Sequence, residues 1–98
     1  MISITFTWDQ AKDKANIKKH GLSFEEAKTV FADEFARLIP DPDHSEAEDR
    51  FILLGLSNNV RLIMVCHCYR GEDEVVQIIS ARKADKTETK QYRGFRRA

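Results

Sequence analysis

The chain has 98 residues, 42% of them hydrophobic and 33% charged, with 16 basic and 16 acidic side chains that cancel to zero net charge. That length and composition point to a single globular domain, residues 1–98, with one core of its own. Two cysteines, Cys66 and Cys68, are too few and too close on one strand for a disulfide framework, and no stretch has the length and apolarity of a membrane span.

Ile2, Ile4 and Phe6 alternate with Ser3, Thr5 and Thr7, the period of a half-buried strand. Asp9 is a good helix N-cap, Trp8, Ala11 and Ala15 follow at near-helical spacing, and Gly21 supplies the left-handed residue that ends a helix near His20. Ser23 and Glu26 have capping-box spacing, with Leu22 and Ala27 placed as a hydrophobic staple. Phe24, Ala27, Val30 and Phe31 give this second helix an apolar stripe. Phe35 to Ile39 reads as a short strand stopped by Pro40, and residues 41–49 as a polar, acidic loop.

Three more strands are expected at about Arg50–Leu56, Arg61–Tyr69 and Glu74–Ala81, joined by hairpin turns at 57–59 and 70–73. The run Leu62 to Cys66 is apolar on both faces, as a central strand covered on two sides should be. Strand parity puts Ile63, Val65, His67 and Tyr69 on one face of it, and Met64, Cys66, Cys68 and Arg70 on the other. In the last strand the same alternation groups Ile78, Ser80 and Arg82. Asp85 and Glu88 mark the start of a final helix reaching about Arg93, held only by Tyr92 and, just past its end, Phe95. The expected fold is α+β, in the order β-α-α-β-β-β-β-α. It has a mostly antiparallel sheet, two helices on one face and a C-terminal helix flanking the sheet.

Neutrality hides a division of charge. Residues 1–49 have a net charge of −5 and residues 50–98 a net charge of +5, and the segment from Arg82 to Ala98 alone carries seven basic and two acidic side chains. A cationic patch at the end of a sheet suits a polyanion, most simply nucleic acid; a solvated helix kept soluble by its charges is the plainer account. Cleaving RNA without a metal requires proton transfer at the 2′-hydroxyl and at the leaving oxygen, and stabilisation of the phosphorane charge. Arg50, Arg70 and Arg82 could hold the phosphate, and His67 or Tyr92 could move protons. A histidine on an apolar strand face is also a common packed core residue. Lys19, His20, Lys83, Lys86, Lys90, Arg93, Arg96 and Arg97 are candidate nucleic-acid contacts, with His20 equally suited to complementing a helix C-terminus.

Metal and nucleotide motifs fail on inspection. Asp41-x-Asp43-x-Ser45 opens like a calcium loop, but Glu46 stands where glycine is required and Ile52 where the bidentate glutamate belongs. In Cys66-His67-Cys68 the imidazole points away from both thiols, and no second ligand pair exists. The chain lacks G-x-x-x-x-G-K-[ST], G-x-G-x-x-G and G-x-S-x-G. No cofactor is expected.

Several segments taken together resemble the BrnT toxins: Phe6-x-Trp8-Asp9-x-Ala11-Lys12, Lys19-His20-Gly21-Leu22-Ser23-Phe24-Glu25-Glu26-Ala27, Asp43-His44-Ser45-x-x-Glu48-x-Arg50-Phe51, Gly55-Leu56-Ser57, and Ile78-Ile79-Ser80-Ala81-Arg82-Lys83-Ala84 followed by Glu88 and Tyr92. The resemblance spans about Thr5 to Tyr92. It implies a RelE-like fold and a cytoplasmic ribonuclease that stops translation. It also implies a BrnA-like DNA-binding antitoxin as partner, with operator DNA engaged only through that antitoxin and a toxin dimer within the complex. Carried over by position, Arg82 would stabilise the phosphate and Tyr92 would assist. A non-catalytic nucleic-acid-binding or co-repressor subunit, and a pure protein-interaction domain, would use the same basic surface.

Overall fold

The computed structural model describes residues 4–40, 50–71 and 74–97. In chain order these form β1 (Thr5–Thr7), α1 (Gln10–His20), α2 (Phe24–Thr29) with a 3-10 turn (Val30–Ala32), β2 (Arg37–Pro40), β3 (Phe51–Leu56), β4 (Leu62–Arg70), β5 (Val75–Lys83) and α3 (Lys86–Arg97). The strands make one sheet in the order β1-β5-β4-β3-β2, parallel only between β1 and β5. This is the expected α+β arrangement. The acidic loop with His44, the start of the first strand at Ile2 and the turn residues Glu72 and Asp73 lie outside the described residues.

The helix boundaries follow from their caps. Asp9 Oδ1 accepts from the backbone N–H groups of Ala11 (2.7 Å) and Lys12 (3.2 Å), and Gly21, at φ +69°, donates its N–H back to the Ile17 carbonyl at 2.8 Å. Asp13 then accepts from the Phe24 N–H at 2.8 Å and fixes the angle at which α2 leaves. Ala11 and Ala15 do not form the buried face expected of α1; both are exposed, and Asn16 is buried instead. Its side-chain amide behaves like a peptide group laid against β5: Nδ2 donates to the Ala81 carbonyl at 2.9 Å and Oδ1 accepts from the Ala81 N–H at 3.1 Å. Beyond Gln77, where its pairing with β1 stops, the outer edge of β5 is covered in this way.

The main core lies between the sheet and the α1–α2 layer. Leu22, Phe24, Ala27 and Val30 pack on Leu53, Ile63, Val65, Val76, Ile78 and Ala81. Phe6 joins them edge-on to Phe31 (5.1 Å), whereas Ile4, expected to point inward, is 50% exposed. Gly55 lets the 3-10 turn come close, since a Cβ there would sit 2.7 Å from Val30 Cγ1 and 2.9 Å from Ala36 Cβ. Pro40 does not stop β2 but ends it, paired with Phe51 on the outermost strand, where a missing N–H is tolerated.

The β3–β4 turn is tied to α2. Ser57 Oγ donates to Glu26 Oε2 at 2.7 Å and accepts from the N–H groups of Asn59 and Arg61, both at 3.3 Å. Arg61 pairs with both oxygens of the same carboxylate, which Ser57 Oγ also bonds, Nε at 2.8 Å. So only half of the expected capping box forms: Ser23 caps the Glu26 N–H at 3.1 Å, while the Glu26 carboxylate reaches the turn. These bonds hold Val60 at φ +59°, a conformation that strains a β-branched residue.

A second, smaller core lies on the opposite sheet face under α3, where Tyr92 and Phe95 pack on Ile52, Leu54, Leu56, Leu62 and Met64. Here Asp85 and Glu88 form a complete capping box, each backbone N–H bonded to the other's carboxylate (2.9 and 2.8 Å). The helix runs on to Arg97, so Phe95 falls inside it rather than after it. It is also anchored more firmly than two apolar residues suggested. Tyr92 is 3% exposed and its hydroxyl donates to Asp33 Oδ2 at 2.6 Å, an oxygen that also accepts from the Leu56 N–H at 2.8 Å.

Candidate active site

Arg37, Leu54, Met64 and Arg82 are successive partners across the sheet and form one row running from β2 to β5. Helix α3 lies along this row. At one end Glu88 meets Arg82, and at the other the Arg37 guanidinium stacks 4.2 Å from the Phe95 ring centroid. The strip of sheet that α3 leaves uncovered forms a cleft of about 290 Å³. Ile52, Met64 and Cys66 contribute to its apolar part, and His20, Arg50, Ser80 and Arg82 to its polar part.

A β-bulge puts Arg82 there. Cys66 pairs with Ser80 but His67 pairs with Ile78, so Ile79 is an extra residue in β5. The alternation of the strand shifts by one at this point. Ile78 and then Ala81 face the main core, while Ser80 and Arg82 turn to the cleft. The expectation that Ile78, Ser80 and Arg82 share a face is thereby corrected.

Arg82 is held in a fixed pose. Nη1 and Nη2 donate to the two oxygens of Glu88, each at 2.8 Å, and Nη1 also reaches the Lys83 carbonyl at 3.2 Å. This leaves Nε–H and one Nη2–H for another acceptor. The Glu88 carboxylate lies below its ordinary range, chiefly because of that guanidinium, and the Arg82 guanidinium is raised in turn. Arg50 stands just before β3, and its Nε is buried with no hydrogen-bond partner among the described residues. His20 enters from the last turn of α1, whose docking is fixed by Asn16. The sequence marked these three residues singly; their meeting in one cleft, with Cys66 and Ser80 beside them, depends on the bulge and has no local signal.

The other expected site residues are elsewhere. His67 is fully buried in the main core, against Phe31 (4.9 Å between ring centroids), Phe51 and Tyr69, on the sheet face opposite Arg82. Its Nδ1 donates to the Val65 carbonyl at 3.0 Å, and burial pushes its pKa below the ordinary value. It does not join Arg50 and Arg82 in one site. Arg70 lies at the far end of β4, where Nε donates to Gln77 at 2.9 Å. Tyr92 is enclosed beneath α3, with its hydroxyl engaged by Asp33.

Lys19 is exposed beside His20, and Lys83 follows Arg82 on an exposed strand end. Lys86, Lys90 and Arg93 lie on the flank of α3 that borders Ala84 and Thr89, and none of them lines the cleft. The side chains of Arg96 and Arg97 lie outside the described residues. Among the described residues, no group of three or more His, Cys, Asp or Glu side chains could hold a metal ion, and no helix is long and apolar enough to cross a membrane.

Comparison with known proteins gives a consistent result. Residues 8–88 match the family model described as "Ribonuclease toxin, BrnT, of type II toxin-antitoxin system". Among solved structures, the chain is similar to the Brucella abortus ribonuclease toxin, BrnT. The two are 28% identical, the match covers 86% of this chain and 100% of that one, and the TM-score is 0.66. A search of curated proteins gives no match.

Proposed function

The chain belongs to the BrnT ribonuclease toxins of type II toxin–antitoxin systems, and on that premise we propose that the cleft bounded by His20, Arg50 and Arg82 is where it cuts RNA. As a toxin of such a system it is an endoribonuclease with an RNA substrate and a cognate antitoxin. The observation that carries the assignment of the site is the convergence of two guanidinium groups and an imidazole on one open sheet face.

Metal-independent cleavage by the 2′-hydroxyl fits these groups. The 2′-oxygen attacks the adjacent phosphorus, the bond to the 5′-oxygen breaks, and a 2′,3′-cyclic phosphate is left. Arg82, its two remaining N–H groups directed by the Glu88 clamp, neutralises the charge gained by the phosphorane, and Arg50 supports it from the other side of the cleft. His20 is the proton-transfer group of the set: its imidazole can take the proton of the 2′-hydroxyl and return one to the leaving 5′-oxygen. Lys19 and Lys83, each next in sequence to a cleft residue, add unspecific attraction for the RNA backbone. His67 and Tyr92, enclosed in the two cores, support the fold in this reading. The toxin would act in the cytoplasm by stopping translation. A BrnA-like DNA-binding antitoxin would neutralise it and carry a toxin dimer to operator DNA.

The test is RNA cleavage by purified protein, with and without ribosomes. Arg82→Ala is expected to lower kcat by about 10²–10³-fold, as removal of one transition-state hydrogen-bond donor does, while circular dichroism stays that of the folded protein. His20→Gln should lower kcat with little change in KM. Full activity of Arg82→Ala would overturn the assignment of the site.

A further inference from the structure

The flank of α3 turned away from the cleft carries a second surface. Lys86, Lys90 and Arg93, spaced i, i+4, i+7, lie along one side of the helix, and none makes an ion pair among the described residues. Beside them a groove of about 280 Å³ is floored by Leu56, Leu62 and Tyr92 and closed by Val60. Thr89 and Arg93 belong to both hollows, so the cationic row and the apolar groove are continuous. Val60 is 76% exposed although apolar, and it is held at φ +59° by the Ser57–Glu26–Arg61 bonds. Val60 thus carries the apolar lining of the groove out to solvent, where a bound partner would bury it.

We propose that this groove and its basic flank receive an acidic peptide segment with apolar side chains, contributed by the cognate antitoxin; the inference rests on the toxin reading above. Three cations in line, without ion pairs among the described residues, call for carboxylates at matching helical spacing, and the groove beside them calls for one or two aliphatic side chains. A nucleic acid suits the surface less well. The groove walls are aliphatic, and the one ring present, Tyr92, is 3% exposed and offers no face on which a base could stack. Because α3 also carries Glu88, a partner bound on this flank would press on the helix that positions Arg82.

Titration calorimetry of the full chain with its antitoxin tests the proposal. Combined Lys86→Glu, Lys90→Glu and Arg93→Glu substitution should weaken binding about 100-fold or more. Raising salt should weaken the parent complex and leave the reversed variant nearly unaffected. Val60→Asn separates contact from folding. Relief of the backbone strain should raise its melting temperature, yet binding should weaken about tenfold, with RNA cleavage unchanged. Parent-like affinity in both variants would refute the docking site while leaving the toxin reading intact. Loss of RNA cleavage by the charge-reversed variant with undiminished antitoxin binding would refute it in favour of an RNA surface. Failure of the parent protein both to bind the antitoxin and to cleave RNA would instead overturn the toxin reading itself.

Discussion

Replacing Glu26 with glutamine should destabilise the protein in a way that depends on pH with a definite sign. The carboxylate is 7% exposed, and its pKa is held at about 2, against an ordinary 4.5, first by the hydrogen bonds from Arg61 and then, against the opposing effect of burial, by those from Ser57 and Asn59. The whole difference would correspond to an upper limit of ~3 kcal/mol. Arg61 is 37% exposed, so solvent screens the pair and about 1–2 kcal/mol is the expected contribution. A depressed carboxylate stabilises the fold above its unfolded pKa and loses that effect as pH falls through the folded value. The stability gap between parent and Glu26→Gln should therefore be constant from pH 7 to about 5 and shrink between 4.5 and 2. Urea titrations at stepped pH, followed by the fluorescence of Trp8, the single tryptophan, measure it. A gap that stays constant down to pH 2.5 would refute the assignment of this stability to the charged state of Glu26.

Two more substitutions probe other parts of the argument. Gly55→Ala places a methyl group against Val30 and Ala36 at distances neither can accept, and should cost about 1–3 kcal/mol in urea unfolding; stability equal to the parent would show that the 3-10 turn can give way. Glu88→Ala removes one arm of the α3 capping box and the bidentate partner of Arg82, so it should lower stability by about 1 kcal/mol and kcat about tenfold with little change in KM. A rise in kcat would instead mean that Glu88 competes with the scissile phosphate.

Much of the fold was legible because its signals are local. The Asp9 and Ser23 caps, the Gly21 terminus and the Asp85–Glu88 box each lie within a few residues of the element they bound, and the alternation along β4 survives intact from Ile63 to Tyr69. What could not be read is non-local. Nothing around Ile79 announces an extra residue, so counting by twos put Arg82 on the face of Ile78. Asn16 carries no local signal for burial, because its partner is Ala81, on the last strand. Tyr92 could be a catalyst or an anchor by sequence alone, and the carboxylate that decides its place in the fold, Asp33, is 59 residues away. The candidate site was accordingly visible as residue types and invisible as an arrangement.

The bond between Asn16 and Ala81 has a consequence for how the protein folds. His20 is carried by a helix whose docking groups come from β5, 65 residues later in the chain, and the cleft also needs Arg82 itself. Local caps can start α1 early, but the helix has nothing to seat against until β5 is in place, so the cleft that brings His20 to Arg82 is completed only through a pairing distant in sequence.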